Sequence, residues 1–425
     1  MKGKRRALEW IKSLLILLLS VSALYLLTMT PLVQDSGLLN LFHKDASTDP
    51  DRPSVTLTAA ARPSRMAVSD GKSRYGLQYD QSAVDGLFVR MGPLLGEALV
   101  SSGEPEEISE LQWQWYLQEK GIYFDFAGEV PLMALSSWLQ QDQECAITAA
   151  ARRILLVDGY GDSVLLCYQD AADERFYACL TGLLWSLHLE PEVSGIEDNG
   201  AQFAFEDSDW ADLLQPYTLI TENPVLQTYS ASMPLTSADS RSDLLEALDY
   251  TGRNHASVSG GELYLDGNDR LHVMAGGFVS YDAVQSGKYA VATQDGNITV
   301  AEAIEAARKI AERTIGAQCG DAELYLVTAE ETEQGYRIRF GYRLDGSTVW
   351  LYDEGWAAEF YVSGGFITKF TLQFRSYTAT GDEAMLLPIE RAAVILPGLN
   401  RENRELLLQY RDQGEAVVEP VWVAK

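Results

Sequence analysis

Hydrophobic positions along the chain follow three patterns in succession, and the first is an unbroken run. From Ser13 to Gln34 no side chain is charged, and Leu14 through Leu19 continue through Val21, Leu24, Leu26 and Leu27. A 22-residue helix rises about 33 Å, which matches a bilayer hydrocarbon core of roughly 30 Å, so the run predicts a transmembrane anchor over residues 13–34. The second pattern is none at all. Residues 35–75 hold Asp49-Pro-Asp-Arg-Pro53 and Ala59-Ala-Ala-Arg-Pro-Ser64 with no sustained periodicity, and are expected to form an extended stalk.

The third pattern, from residue 76 onward, switches between helical and alternating spacing. Val84, Leu87, Phe88, Met91, Leu94, Leu95 and Leu99 recur at helical spacing, and Gly121–Phe126 reads as a strand. Pro131 opens a short helix to Leu139, because the first helical turn has no use for the missing N–H. Strands follow at 154–157, 163–168 and 175–179, completing an N-terminal domain over 76–222. A middle domain, 223–290, begins with a helical face at Leu244, Leu245 and Leu248. Its strands at 262–265 and 271–274 flank Asp266-Gly-Asn-Asp269, a hairpin signal because these residues tolerate positive φ, and a third strand runs from Phe278 to Tyr281.

The C-terminal domain, 291–425, repeats that order. Thr299 followed by Glu302 forms a capping box for a helix through Ala303, Ile304, Ala307 and Ile310. Five alternating stretches at 323–328, 336–343, 348–352, 357–362 and 366–374 are separated by Gly335, Asp345-Gly346, Gly355 and Gly364-Gly365. A helix from Pro388 and a hairpin of 406–410 with 417–423 close the chain. The fold class expected is α+β: one N-terminal transmembrane helix, then two to three extracytoplasmic domains, each an antiparallel meander sheet packed on helices.

Charge orients this arrangement. Residues 1–12, a basic cytoplasmic tail, carry a net +4 from Lys2, Lys4, Arg5, Arg6 and Lys12 against Glu9, which leaves −32 of the total −28 on the rest. The positive-inside rule then puts the N-terminus in the cytoplasm and residues 35–425 outside a cell membrane crossed once. A body this acidic repels nucleic acid, whose binding requires Lys and Arg to displace counterions. The competing reading is a cleaved signal peptide, since Val21-Ser22-Ala23 suits a signal peptidase, although apolar sequence runs on through Leu27. Ser13, Ser20 and Thr28, with Ala23 at the edge, share one face of the anchor helix, a small-residue surface on which a partner helix can approach closely.

Candidate chemistry is sparse. His43, His188, His255 and His272 are scattered, whereas a zinc site takes three or four converging ligands. Cys145, Cys167, Cys179 and Cys319 form no Cys-x-x-Cys pair. They read as buried thiols, with a Cys167–Cys179 disulfide across adjacent strands as the alternative. Asp158-Gly-Tyr-Gly-Asp162 and Asp266-Gly-Asn-Asp269 lack the ligand spacing of a calcium loop and read as turns. Trp113, Trp115, Tyr116, Tyr123, Phe124 and Phe126 read as core, with a carbohydrate groove as the alternative. No catalytic, cofactor or metal residues are assigned, and the chain is expected not to be an enzyme.

Three segments resemble the YycH family and its YycI relatives: Leu244-Leu-Glu-Ala-Leu-Asp-Tyr250, Tyr264-Leu-Asp-Gly-Asn-Asp-Arg-Leu-His-Val273 and Gly277-Phe-Val-Ser-Tyr281. Leu387-Pro-Ile-Glu-Arg391 and Glu419-Pro-Val-Trp422 are similar too, while Ala301-Glu-Ala-Ile304 before an antiparallel sheet resembles PepSY-type modules. The resemblance implies an extracytoplasmic regulator of a WalK-like sensor histidine kinase that governs cell-wall metabolism, contacting the kinase, and a sister YycH/YycI-type protein, without cofactor. The rival functions are a tethered envelope ligand-binding or protease-inhibiting module and a cell-wall hydrolase.

Overall fold

The computed structural model describes residues 61–139, 145–251, 254–283, 287–292, 298–352, 354–395 and 405–424. All belong to one unit of the chain, Leu57–Lys425. The predicted tail and anchor, residues 1–34, and the predicted stalk up to residue 60 lie outside the described residues. Among those described, no helix is long and apolar enough to cross a membrane.

The last part of the predicted stalk is instead structural. Residues 65–78 form two strands, β1 (Arg65–Asp70) and β2 (Arg74–Gln78), at one side of a seven-stranded sheet. Its other members are β3 (Glu106–Ile108), β4 (Lys120–Pro131), β5 (Ala150–Asp158), β6 (Ser163–Asp170) and β7 (Phe176–Leu184), in the antiparallel order β2-β1-β4-β5-β6-β7-β3. Both faces of this sheet are covered. Helix α1 (Gln81–Ser101) lays Val84, Phe88, Met91, Leu95 and Leu99 against Met66, Val68, Ile122, Phe124, Ile154 and Leu156. Helix α2 (Glu110–Gln118) lays Trp113 and Leu117 over the intervening residues Ala67, Tyr123, Leu155 and Val157. Because successive strand residues point to opposite faces, covering both turns β5 into the apolar run Ile154–Val157 rather than an alternation.

Short strands β8 (Gln202–Phe203) and β9 (Leu219–Ile220) pair, and β10 (Gln227–Ser232) leads away from the first sheet. The chain then builds a twelve-stranded sheet. It begins with a meander, β11 (His255–Val258), β12 (Gly261–Asp266), β13 (Asp269–Met274) and β14 (Phe278–Asp282), followed by β15 (Tyr289–Ala290). Its second part holds β16 (Glu323–Thr332), β17 (Gly335–Leu344), β18 (Ser347–Leu351), β19 (Ala358–Ser363) and β20 (Phe366–Gln373). The 266–269 hairpin is present, with Asp266 opposite Asp269. Pairing of β14 with β20 joins the predicted middle and C-terminal segments in one sheet, so the 290/291 boundary runs through a shared layer rather than between two bodies. After β21 (Ser376–Glu383), β22 (Leu406–Asp412) returns parallel to β18, and β23 (Val417–Val418) and β24 (Pro420–Ala424) finish the chain. That parallel pair departs from the simple meander expected, since nothing local in sequence can specify so distant a partner. Strands β21, β10 and β23 form a small third sheet.

Further helices pack on these layers, the longer ones being α3 (Leu132–Trp138), α4 (Ala238–Ala247), α5 (Val300–Arg313) and α6 (Ile389–Ile395). At α5 both bonds of the capping box are made, Glu302 N donating to Thr299 Oγ1 (3.2 Å) and Thr299 N to Glu302 Oε2 (2.8 Å). Ala303, Ile304, Ala307, Ile310 and Ala311 are its buried face.

The two large sheets meet where each is interrupted. Strand β4 breaks its register with β5 between Asp125 and Val130, and β16 breaks its own with β17 at Val327. Gly128 lies in the first irregularity against the second, and a Cβ there would collide with the carbonyl oxygens of Leu326 and Val327 and stand 2.8 Å from Val327 Cα. Beside this crossing sits a buried ionic group. Asp125, 1% exposed, accepts from Arg65 Nη1 (3.0 Å) and Arg152 Nε (2.9 Å). Glu405, 5% exposed and just before β22, accepts from Arg65 Nη1 (3.0 Å), pairs with Arg153 (3.2 Å) and is gripped by Arg152. Removing one partner from such a group strands a charge out of water at a cost of about 3–5 kcal/mol.

The junction can be tested at two positions. Gly128→Val is expected to destabilise the protein by about 3 kcal/mol in urea denaturation, because backbone and not a flexible side chain would have to yield. Burial alone would raise the pKa of Glu405, but Arg152, Arg153 and Arg65 overcome it and hold the carboxyl well below its ordinary 4.5. A depressed acid contributes stability that is complete above its unfolded value and is lost as pH falls toward its folded one. Unfolding free energy is therefore expected to decline below pH 4.5, and Glu405→Gln should lower it at neutral pH while flattening that decline. Parallel pH profiles for the two proteins would refute the assignment.

Candidate functional site

Among the described residues the junction borders a polar cleft of about 370 Å³, walled by parts of the chain far apart in sequence. Gln81 enters from the first turn of α1, which starts where Asp80 Oδ1 accepts the Ala83 N–H at 2.9 Å. Gln227 and Tyr229 of β10 and Ala379 of β21 form one side. Asp321 and Glu323, at the start of β16, form another, and Arg343 with the Asp345-Gly346 turn between β17 and β18 completes the lining.

A hairpin turn is ordinarily a surface feature. Here Gly346 and Ser347 are buried, and Asp345 and Gly346 take positive φ (48° and 77°), the mirror-image turn that Asp-Gly favours because its twist matches the flanking strands. A side chain at Gly346 would come within 3.3 Å of Gln81 Oε1, so glycine keeps the cleft open at this point.

Three carboxylates and one guanidinium face the space. Arg343 Nη2 donates to Glu323 Oε2 (2.8 Å) and its Nη1 to the Arg62 carbonyl (3.2 Å). Arg62 in turn bridges Asp85 (2.7 Å) and Glu323 (3.2 Å). Asp321 Oδ2 accepts the Ala379 N–H at 2.7 Å. Asp345 Oδ2 accepts from Tyr229 Oη at 3.2 Å and more distantly from Gln227 Nε2 at 3.5 Å. Burial, then the Asp345 charge, raises the Tyr229 phenol, which therefore stays a neutral donor. Arg343 and Glu323 largely neutralise each other, and the cleft retains a negative character from Asp321 and Asp345.

The partner-facing residues read from the anchor, Ser13, Ser20, Ala23 and Thr28, lie outside the described residues, as does His43. The other histidines occupy separate elements: His188 follows β7 with Nδ1 3.0 Å from the Leu184 carbonyl, His255 stacks on Tyr264, and His272 sits in β13. Among the described residues no group of three His, Cys, Asp or Glu side chains is placed to hold a metal ion. All four cysteines are buried and free. Cys167 and Cys179 do stand on adjacent strands, but Cys167 pairs with Ala178 and Cys179 with Leu166, so they project to opposite faces of the sheet and cannot bond. Burial pushes the thiols up, Cys179 to about 12 and Cys319 to about 11. Of the aromatic group, Trp113, Tyr123, Phe124 and Phe126 are core, while Trp115 is exposed and leans on Tyr116.

In sequence, Glu323 and Arg343 read only as strand members and Asp345-Gly346 only as a turn. No local motif announces the cleft, because Gln81, Tyr229 and Asp345 come together only through the tertiary fold. The one legible sign lies nearby: Arg152-Arg153 leading into the apolar run of β5 signals buried counter-charges.

No family model and no curated protein matches the sequence. Among solved structures the chain is similar to an uncharacterized protein from Eubacterium rectale, at 14% identity and a TM-score of 0.31, covering 47% of this chain and 77% of that one, a likeness too slight to argue from. It is also similar to YycH from Bacillus subtilis, at 13% identity and a TM-score of 0.50, and this match covers 87% of the present chain and 95% of the other. An agreement of that extent at that identity speaks to architecture alone: the chain has a mixed α+β, largely antiparallel, YycH-like fold.

Proposed function

We propose that the chain is a member of the YycH family: a membrane-anchored extracytoplasmic regulator of a WalK-like sensor histidine kinase that controls cell-wall metabolism. It acts by contact, through its transmembrane helix and outer domains, and engages the kinase together with a sister YycH/YycI-type protein rather than turning over a substrate. The observation that carries this reading is the YycH-like fold standing behind an uncharged 22-residue segment with a net +4 on its N-terminal side. The acidic body supports it as well, since charge of this sign keeps the folded mass away from anionic headgroups and leaves the helix as the element that meets other membrane proteins.

A second reading, a tethered envelope ligand-binding module, is favoured by the polar cleft. The two are compatible if the ligand informs the regulator. They differ in what the anchor must do: a mere tether is replaceable, whereas a helix that recognises the kinase is not.

Replacing residues 13–34 with an unrelated apolar helix of equal length is expected to abolish co-purification with the kinase while the body stays accessible to protease added to intact cells. Retention of the kinase by the swapped chain would overturn helix-mediated coupling. Protection of the body from external protease would overturn the topology.

A further inference from the structure

We propose that the cleft binds the primary ammonium group of a small polar amine, held between Asp345 and Gln81. This stands independently of the kinase reading, since it concerns only what the described residues can recognise.

The orientation of Gln81 comes first. Its Nε2 donates to Asp85 Oδ1 at 2.6 Å and to the Pro63 carbonyl at 3.3 Å. Both partners are acceptors, so the nitrogen faces them and the amide oxygen must face the other way. That oxygen borders the Asp345-Gly346 turn, and it has no hydrogen-bond partner although Gln81 is only 8% exposed. An acceptor removed from water and left unpaired is unfavourable, and a donor arriving from a ligand would relieve it.

The neighbouring acceptor is Asp345. Glu323 is occupied by Arg62 and Arg343, and Asp321 takes a backbone N–H. Asp345 spends one oxygen, Oδ2, on Tyr229 and Gln227, and among the described residues no donor reaches Oδ1. The cleft lining thus carries an unpartnered amide oxygen on Gln81 and a carboxylate oxygen on Asp345 that no donor among the described residues reaches, both at the Asp345-Gly346 turn.

A primary ammonium carries three donors and no acceptor, the complement of that arrangement. An anionic ligand would face Asp321 and Asp345 directly. A divalent cation would require converging carboxylates, and the described residues place no such group. The space of about 370 Å³ admits a molecule of amino-acid to dipeptide size, and because its walls are polar, recognition rests on charge and hydrogen bonds and weakens as salt rises.

The test is calorimetric titration of the full-length chain in detergent micelles with n-butylammonium, with n-butanol as the uncharged isostere and acetate as the anion. Butylammonium is expected to bind and the other two are not. Asp345→Asn and Gln81→Met are each expected to weaken butylammonium binding at least tenfold, with Arg90→Gln, an exposed residue remote from the cleft, leaving it unchanged. Should Asp345→Asn fail to fold, as judged by circular dichroism, Gln81→Met still probes the same binding contact from its other side. Equal binding of butanol, preferential binding of acetate, or affinity unaltered in the folded cleft variants would overturn the proposal. Loss of kinase association in the anchor-swapped chain bears on the regulatory reading and not on this one.

Discussion

The structure depends on how two large sheets are joined with the buried charges at the seam paired to one another. Strand β4 and strand β16 each abandon their ladder for a few residues, and side chains enter the gap: Arg152 donates to Asp125 and to the Phe126 carbonyl inside the β4 irregularity. Glu405 then closes the group from the other end of the chain, across Arg65, Arg152 and Arg153. Isolated, any of these charges would be expensive to bury, whereas together each is paired, with three guanidiniums arranged around two carboxylates. The group specifies one docking of the sheets, because no sliding of one past the other preserves all its contacts.

That docking explains which parts of the fold were legible in the sequence. Local signals survive wherever an element is fixed by its neighbours in the chain. The capping box at Thr299 and Glu302, the Asp266–Asp269 hairpin and the stripe from Val84 to Leu99 belong to this class. Strands β1 and β2 do not. They pair with each other as a local hairpin, but β1 joins the sheet through β4, some fifty residues away, and it offers only Met66-Ala-Val68 as an apolar core within a segment rich in Ala, Ser and Pro, so its composition matches a linker while its pairing makes it part of a sheet. Propensity describes a segment, and burial is decided by what covers it.

The cleft was beyond reach for the same reason in a stronger form. Asp345-Gly346 has the signature of a hairpin turn and is one, yet its function in the fold depends on being covered by α1 and β10, which turn chemistry does not encode. Cys167 and Cys179 make the converse point. Their placement on neighbouring strands was readable, but a one-residue offset in register, invisible before pairing is known, sends them to opposite faces and leaves them as two separate thiols.

Junction and cleft are linked energetically because they are made of the same segments. Gln81 hangs from the start of α1, shortly after β2, while Asp345 and Arg343 belong to the hairpin whose second strand, β18, lies parallel to β22 behind Glu405. Arg62 spans both systems, reaching Asp85 at the base of α1 and Glu323 in the cleft wall. Any molecule held between Gln81 and Asp345 therefore ties the N-terminal sheet to the C-terminal one at a second point, and by mass action it stabilises the docked arrangement over any in which the halves have shifted.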